Sequence, residues 1–121
     1  MDLETLRQLC LELPGVTEDV KWGSDLCFCI GGKMFLITGL DRAVTGASFK
    51  VPESEFAEMI ARDGFRPAAY LGRYHWVCVE ELALWNKVEW RHVISQSYEL
   101  VKAKLPAKIR NGLDASFQRE T

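Results

Sequence analysis

The chain has 121 residues, 48% hydrophobic and 26% charged, with a formal net charge of −2. A chain of this length buries roughly two-thirds of its unfolded surface, so it needs no disulfide or metal to hold a core, and its composition excludes the disordered class. The slight acidity excludes a polyanion-binding surface spread over the whole molecule, and any phosphate contact has to come from a local basic patch.

Asp2 is placed to cap a first helix in which Leu3, Leu6, Cys10 and Leu13 share one face. Pro14-Gly15 ends it. Thr17–Trp22 reads as a short polar edge strand closed by Gly23-Ser24-Asp25. Leu26–Ile30 and Lys33–Leu40 are two β-type runs joined by Gly31-Gly32, the two-residue link of a tight hairpin whose primed turn demands positive φ. Asp41–Gly46 reads as a loop and Ala47–Val51 as a fourth strand. Pro52, Glu53 and Glu55 suit a helix first turn, followed by a stripe of Phe56, Met59 and Ile60 that stops at Asp63-Gly64. Phe65–Arg73 reads as irregular and Tyr74–Val79 as a fifth strand. Asn86 and Glu89 form a capping-box pattern that opens the longest helix, with Trp90, Val93, Ile94, Ser97, Val101 and Leu105 in helical period and Pro106 as its stop. From Ala107 the chain reads as a polar, frayed tail in which Ile109, Leu113 and Phe117 could dock. The order predicts one domain over residues 1–121, of α+β class. Its expected core is a mainly antiparallel five-stranded sheet with helices packed on one face.

Strand alternation then sorts the side chains. Leu26, Phe28 and Ile30 share one face and Cys27 and Cys29 the other; Val77 and Val79 share a face with His75, opposite Tyr74, Trp76 and Cys78. Lys33–Thr38 is apolar on both faces, Met34 and Leu36 on one, Phe35 and Ile37 on the other. A sheet covered on one side therefore leaves thiols and aromatics on its open side, either as a binding surface or as core beneath the tail or a partner.

Catalytic and metal patterns are weak. His75 and Cys78 stand three apart on one strand and diverge, so with Cys27 and Cys29 they do not make a tetrahedral zinc set. His75 and His92 sit on different elements with no nucleophile signature near any cysteine, and the thiols read as small apolar fillers. Gly31-Gly32-Lys33 lacks the spacing of a phosphate loop, and the adjacent acids Glu18-Asp19 and Glu80-Glu81 read as solvated. No cofactor, metal or enzymatic activity is expected. The opening Met1–Thr5 lacks a signal-peptide pattern and no apolar run suits a membrane helix, so a cytoplasmic chain with reduced thiols and no membrane contact is expected.

Two basic groups remain. Lys102, Lys104, Lys108 and Arg110 cluster without an acid among them, although positive charge at a helix C-terminus also serves the helix. Arg62, Arg66 and Arg73 flank a stretch interleaved with Tyr70, Tyr74, His75 and Trp76, an arginine-plus-aromatic composition suited to nucleic-acid or protein contact.

Taken in order, Leu13-Pro14-Gly15-Val16, Lys21-Trp22-Gly23, Gly32-Lys33-Met34-Phe35, Phe49-Lys50-Val51, Arg66–Leu71, His75-Trp76-Val77 and Ser97–Val101 give a pattern that resembles the MmcQ/YjbR-like family of small bacterial proteins. The resemblance runs from the first helix to about Leu105. It implies a CyaY-like two-layer sandwich and a DNA-binding role, the label its members commonly carry, with no catalytic residue set. The matching polar and aromatic positions are Trp22, Lys33, Lys50, Arg66, Tyr70, Trp76, Ser97 and Tyr98. Frataxin-like proteins share that fold and bind iron through acids of the first helix and adjoining strand, but Asp2, Glu4, Glu12, Glu18 and Asp19 are too dilute to imply iron here. The expected contact set for DNA is Lys33, Lys50, Arg66, Tyr70, Arg73 and Trp76. The alternative is a protein partner or a second copy on the open sheet face.

Overall fold

Gly31 and Gly32 set the centre of the sheet. At φ 57° and 80° they form the primed turn that joins β2 (Asp25–Ile30) to β3 (Lys33–Gly39) in antiparallel register. A side chain at Gly31 would also collide with Leu105, 2.6 Å from the position of a Cβ. The structure, a computed structural model, describes residues 1–40 and 45–120, with the backbone alone for 114–120. The expected loop at 41–44 and the docking of Phe117 lie outside the described residues.

Around this hairpin the sheet grows in both directions. β1 (Thr17–Lys21) pairs antiparallel with β2, and β4 (Ala47–Lys50) with β3. β6 (Trp76–Val79) then pairs with β4, and β5 (Phe65–Pro67) closes the far edge against β6. The order is β1-β2-β3-β4-β6-β5, antiparallel throughout, with six strands in place of the five expected. The extra strand is three residues long and ends in proline, too short to show alternation. It forms because Phe65 comes opposite Val79. The fifth expected strand is also shorter at its start. Gly72–Tyr74 is a 3₁₀ turn, and His75 at φ 66° breaks the extended backbone before Trp76.

The helices lie on one face. α1 (Leu3–Leu11) is capped by the Asp2 carboxylate, which accepts from Thr5 N–H at 2.8 Å. α2 (Glu53–Ile60) starts after Pro52, and Gln96 donates to its Glu55 from α3 (Lys87–Lys102) at 2.9 Å. The Asn86/Glu89 capping box opens α3 as expected. The tail is helical, since α4 spans Ala107–Glu120, and Leu113 packs beside Gly15 and Ile30. Between the layers lie Phe28, Leu36, Phe49, Val77 and Val79 from the sheet and Trp90, Ile94 and Tyr98 from α3. Among the described residues no helix is long and apolar enough to cross a membrane.

One irregularity in β3 rearranges its faces. Phe28 pairs with Leu36 but Cys29 pairs with Met34, so Phe35 is an extra residue in a β-bulge. The expected alternation therefore fails there. Phe35 and Leu36 both enter the core, Phe35 edge-on to Tyr98 at 5.6 Å, while Met34 and Ile37 face the open side. The fully buried Ser97 repairs the ladder, its hydroxyl donating to Phe35 C=O at 2.6 Å and accepting from Lys50 N–H at 3.0 Å. Its neighbour Tyr98 donates to the Pro14 carbonyl. Ser97, Tyr98, Pro14 and Lys50 all belong to the stretches that carry the family resemblance, so part of that pattern is a set of structural hydrogen bonds.

Candidate binding groove

Because the helices occupy one face, the pairing register alone defines the other. Cys27 pairs with Ile37, Ile37 with Ser48, Ser48 with Cys78 and Cys78 with Arg66, a single row of side chains crossing five strands. Ile37, Ser48, Cys78 and Arg66 line a groove of about 880 Å³, together with Met34, Gly39 and Ala47. That volume falls in the range of small-molecule sites. The five strands from β2 to β5 are four spacings apart, roughly 19 Å, so the groove is long.

Two aromatic residues stand at its flanks. Trp22 comes from the loop between β1 and β2 and is 69% exposed; Tyr70 comes from the segment between β5 and β6 and is 96% exposed. Both hold the left-handed backbone, Trp22 at φ 52° and Tyr70 at φ 64°. For a residue with a side chain that conformation costs roughly 1–2 kcal/mol, and no burial of either ring offsets it. Trp22 opens a three-residue loop closed by the Lys21–Asp25 pair, and the next residue, Gly23, also has positive φ. Tyr70 rides on a hydrogen-bonded turn. Ala68 N–H donates to Trp76 C=O at 3.0 Å, Gly72 N–H to Ala68 C=O at 2.9 Å, and Trp76 N–H to Leu71 C=O at 3.3 Å.

The polar groups of the groove are Asp25, Ser48, Arg66 and Glu80. Arg66 lies 3.6 Å from Glu80 in an ion pair with both side chains about half exposed, which is worth little in stability but orients the guanidinium. Two further cations are close in sequence to the flanking aromatics. Lys21 precedes Trp22, and the Arg73 guanidinium lies over the Tyr74 ring, 4.9 Å from its centroid. Neither forms an ion pair among the described residues.

The six residues expected to make contact divide in two. Arg66 and Tyr70 line the groove, whereas Arg73 is outside its lining and lies over the Tyr74 ring. Trp76 is a buried residue, 6% exposed, and its main chain rather than its ring serves the site by holding the Tyr70 turn. Lys33 is at the hairpin tip and Lys50 lies beside Lys104, both outside the groove lining. Burial and the Lys104 ammonium push the Lys50 amine below its usual range. Trp22 was legible as a matching position but not as a contact. The signal for it was Trp22-Gly23 at a turn, where a bulky aromatic is costly to place. Asp25, Met34 and Ile37 gave no such signal.

Three of the four thiols are poor nucleophiles here. Burial raises all three of Cys10, Cys27 and Cys29, with Cys27 pushed up to about 11. His75 packs on Phe56 of α2 at 5.5 Å, on the helix side, whereas Cys78 lies in the groove. Among the described residues no three of His, Cys, Asp and Glu gather in a way that could hold a metal ion.

The YjbR family model matches residues 11–100, which run from the end of α1 to near the end of α3 and include every strand and the whole groove. The chain belongs to the YjbR family. Two solved structures share the YjbR-like fold. A Deinococcus radiodurans protein, DR2400, with a DUF419 domain, superposes with a TM-score of 0.83 at 24% identity over 93% of this chain and 87% of its own. A Pseudomonas syringae protein superposes with a TM-score of 0.69 at 17% identity over 83% of this chain and 98% of its own. No curated protein matches. The YjbR match leaves α4 outside, although α4 packs on the β2–β3 hairpin through Ile109 near Gly31.

Proposed function

We propose that the chain is a non-enzymatic binding module that contacts nucleic acid through the open face of its sheet. The observation that carries this reading is the pair of exposed aromatics, Trp22 and Tyr70, held at strained backbone conformations on the two flanks of one groove. Exposed rings beside unpaired cations favour bases, which stack on the rings while phosphates approach the ammonium and guanidinium groups. The contact set becomes Trp22, Tyr70, Arg66, Arg73 and Lys21. Backbone strain retained at a surface without a packing reward is a feature of ligand sites. Fluorescence anisotropy of labelled DNA at low ionic strength tests the reading. Saturable binding that weakens with salt supports it, and no retention at low salt ends it.

A second reading rests on β1. This edge strand carries Val20, 51% exposed, close to the exposed Trp22, and among the described residues its outer hydrogen-bonding side is unpaired in the sheet. Such an edge suits strand addition by a protein partner or a second copy. Sedimentation at several concentrations decides the self-association form, which a strict monomer excludes.

A further inference from the structure

We infer that the occupant of the groove is single-stranded rather than double-stranded nucleic acid, a run of unpaired nucleotides lying across the strands with end bases stacked on Trp22 and Tyr70. The inference rests on the nucleic-acid reading above and names the form of the ligand.

The aromatics come first. Trp22 and Tyr70 are residues 69% and 96% exposed. In a duplex the base faces are already stacked on one another, so such rings gain a partner only when bases are free. The charge distribution points the same way. The groove itself holds two carboxylates, Asp25 and Glu80, against one guanidinium, Arg66. A duplex presents phosphates on its outer surface and would bring them onto those acids. An unpaired strand can turn its bases inward and its phosphates outward, toward Lys21, next to Trp22 in the chain, and Arg73, three residues after Tyr70. Inside, the carboxylates accept from exocyclic amino groups, and Arg66 and Ser48 donate to ring nitrogens and carbonyls. Met34, Ile37, Cys78 and Ala68 supply the apolar floor.

Length and fold complete the case. The groove spans roughly 19 Å from β2 to β5 at the usual inter-strand spacing. That distance accommodates about four to six nucleotides at a rise of roughly 3.4 Å per stacked base, fewer where the strand is extended. Among the described residues the helices lie behind the sheet, and none is presented on this face to enter a major groove.

The test is anisotropy with labelled oligodeoxycytidylates, whose bases carry exocyclic amino groups, of increasing length beside a duplex of matched length. Affinity is expected to rise with length to a plateau near six nucleotides, and the single strand to bind about tenfold or more tighter than the duplex. Trp22→Ala and Tyr70→Ala are each expected to weaken single-strand binding roughly tenfold, while Lys33→Ala leaves it unchanged. Both rings are exposed, and Trp22→Gly, which suits the turn, guards against a folding defect in Trp22→Ala. Duplex binding as tight as single-strand binding overturns the inference and leaves the nucleic-acid reading standing. Loss of all binding overturns both. Full single-strand affinity in both aromatic variants overturns the placement in the groove.

Discussion

At the scale of the residue, the account turns on side chains whose positions cost stability. Trp22 at φ 52° and Tyr70 at φ 64° are exposed, so their left-handed backbones are strain without packing in return. Glycine removes the Cβ clash and alanine keeps it. Trp22→Gly is therefore expected to be more stable than Trp22→Ala by about 1 kcal/mol in urea titration, a reversal of the usual order of these residues. Ser97 is the opposite case, small, fully buried and invested in structure. Ser97→Ala strands the Phe35 carbonyl and the Lys50 N–H beside the bulge, and should cost about 3 kcal/mol in the same measurement. Ser97 was legible as part of the helical stripe, but its hydroxyl's task was not, because the bulge it serves arises only when β2 and β3 are in register.

At the scale of the element, β1 carries the Trp22 flank and is held to α1 by one bidentate ion pair. Arg7 of α1 donates to both carboxylate oxygens of Glu18 at 2.8 and 2.7 Å. That pairing lowers the Glu18 pKa below its ordinary value of 4.5 in the folded chain. A depressed folded pKa gives stability that is present above the unfolded value and lost as pH falls through the folded one. Stability is expected to fall with acid below about pH 4.5, and Arg7→Met should flatten that limb of a stability-against-pH profile. The pair is partly exposed, so the effect is small and decreases with salt. Elements with strong local signals were legible. The Gly31-Gly32 hairpin, the Asp2 cap, the Asn86/Glu89 box and the faces of Leu26–Ile30 all stand as the residues indicated. Elements whose cause lies elsewhere in the chain were not. β5 exists only as a partner for β6, the Phe35 bulge only as a register shift, and α4, polar in composition, places Leu113 beside Gly15 and Ile30.

At the scale of the molecule, one face of the sheet is spent on the core and the other is left to a groove that no single segment encodes. Its lining comes from the β1–β2 loop, the middle strands and the turn before β6. The candidate site was accordingly half legible: Arg66, Tyr70 and Arg73 stand out by composition, whereas Trp22, Met34 and Asp25 join them only through pairing. A molecule with a net charge of −2 and a few cations near its groove should show modest salt dependence. With two or three phosphate contacts, the slope of log affinity against log salt is expected to be about −1.4 to −2.1 for a single strand. A slope several times steeper would place the contacts elsewhere. Thiol labelling offers a check on the same groove. Cys10, Cys27 and Cys29 are buried and raised in pKa, so only Cys78, half-buried in the groove floor, should react with iodoacetamide in the folded chain, and bound oligonucleotide should protect it.

The most direct measurement of the central claim is an NMR titration of the folded chain with a short single-stranded oligonucleotide, following the backbone amides and the indole N–H signals. Under this account the shifts concentrate at Trp22, Asp25, Ile37, Ser48, Arg66, Ala68–Leu71 and Cys78, and the Trp90 indole, hydrogen-bonded to the Leu82 carbonyl at 2.8 Å in the core, stays still. Shifts confined to Lys33, Lys50 and Lys104, or to the helix layer, with the open face of the sheet unmoved, would contradict it.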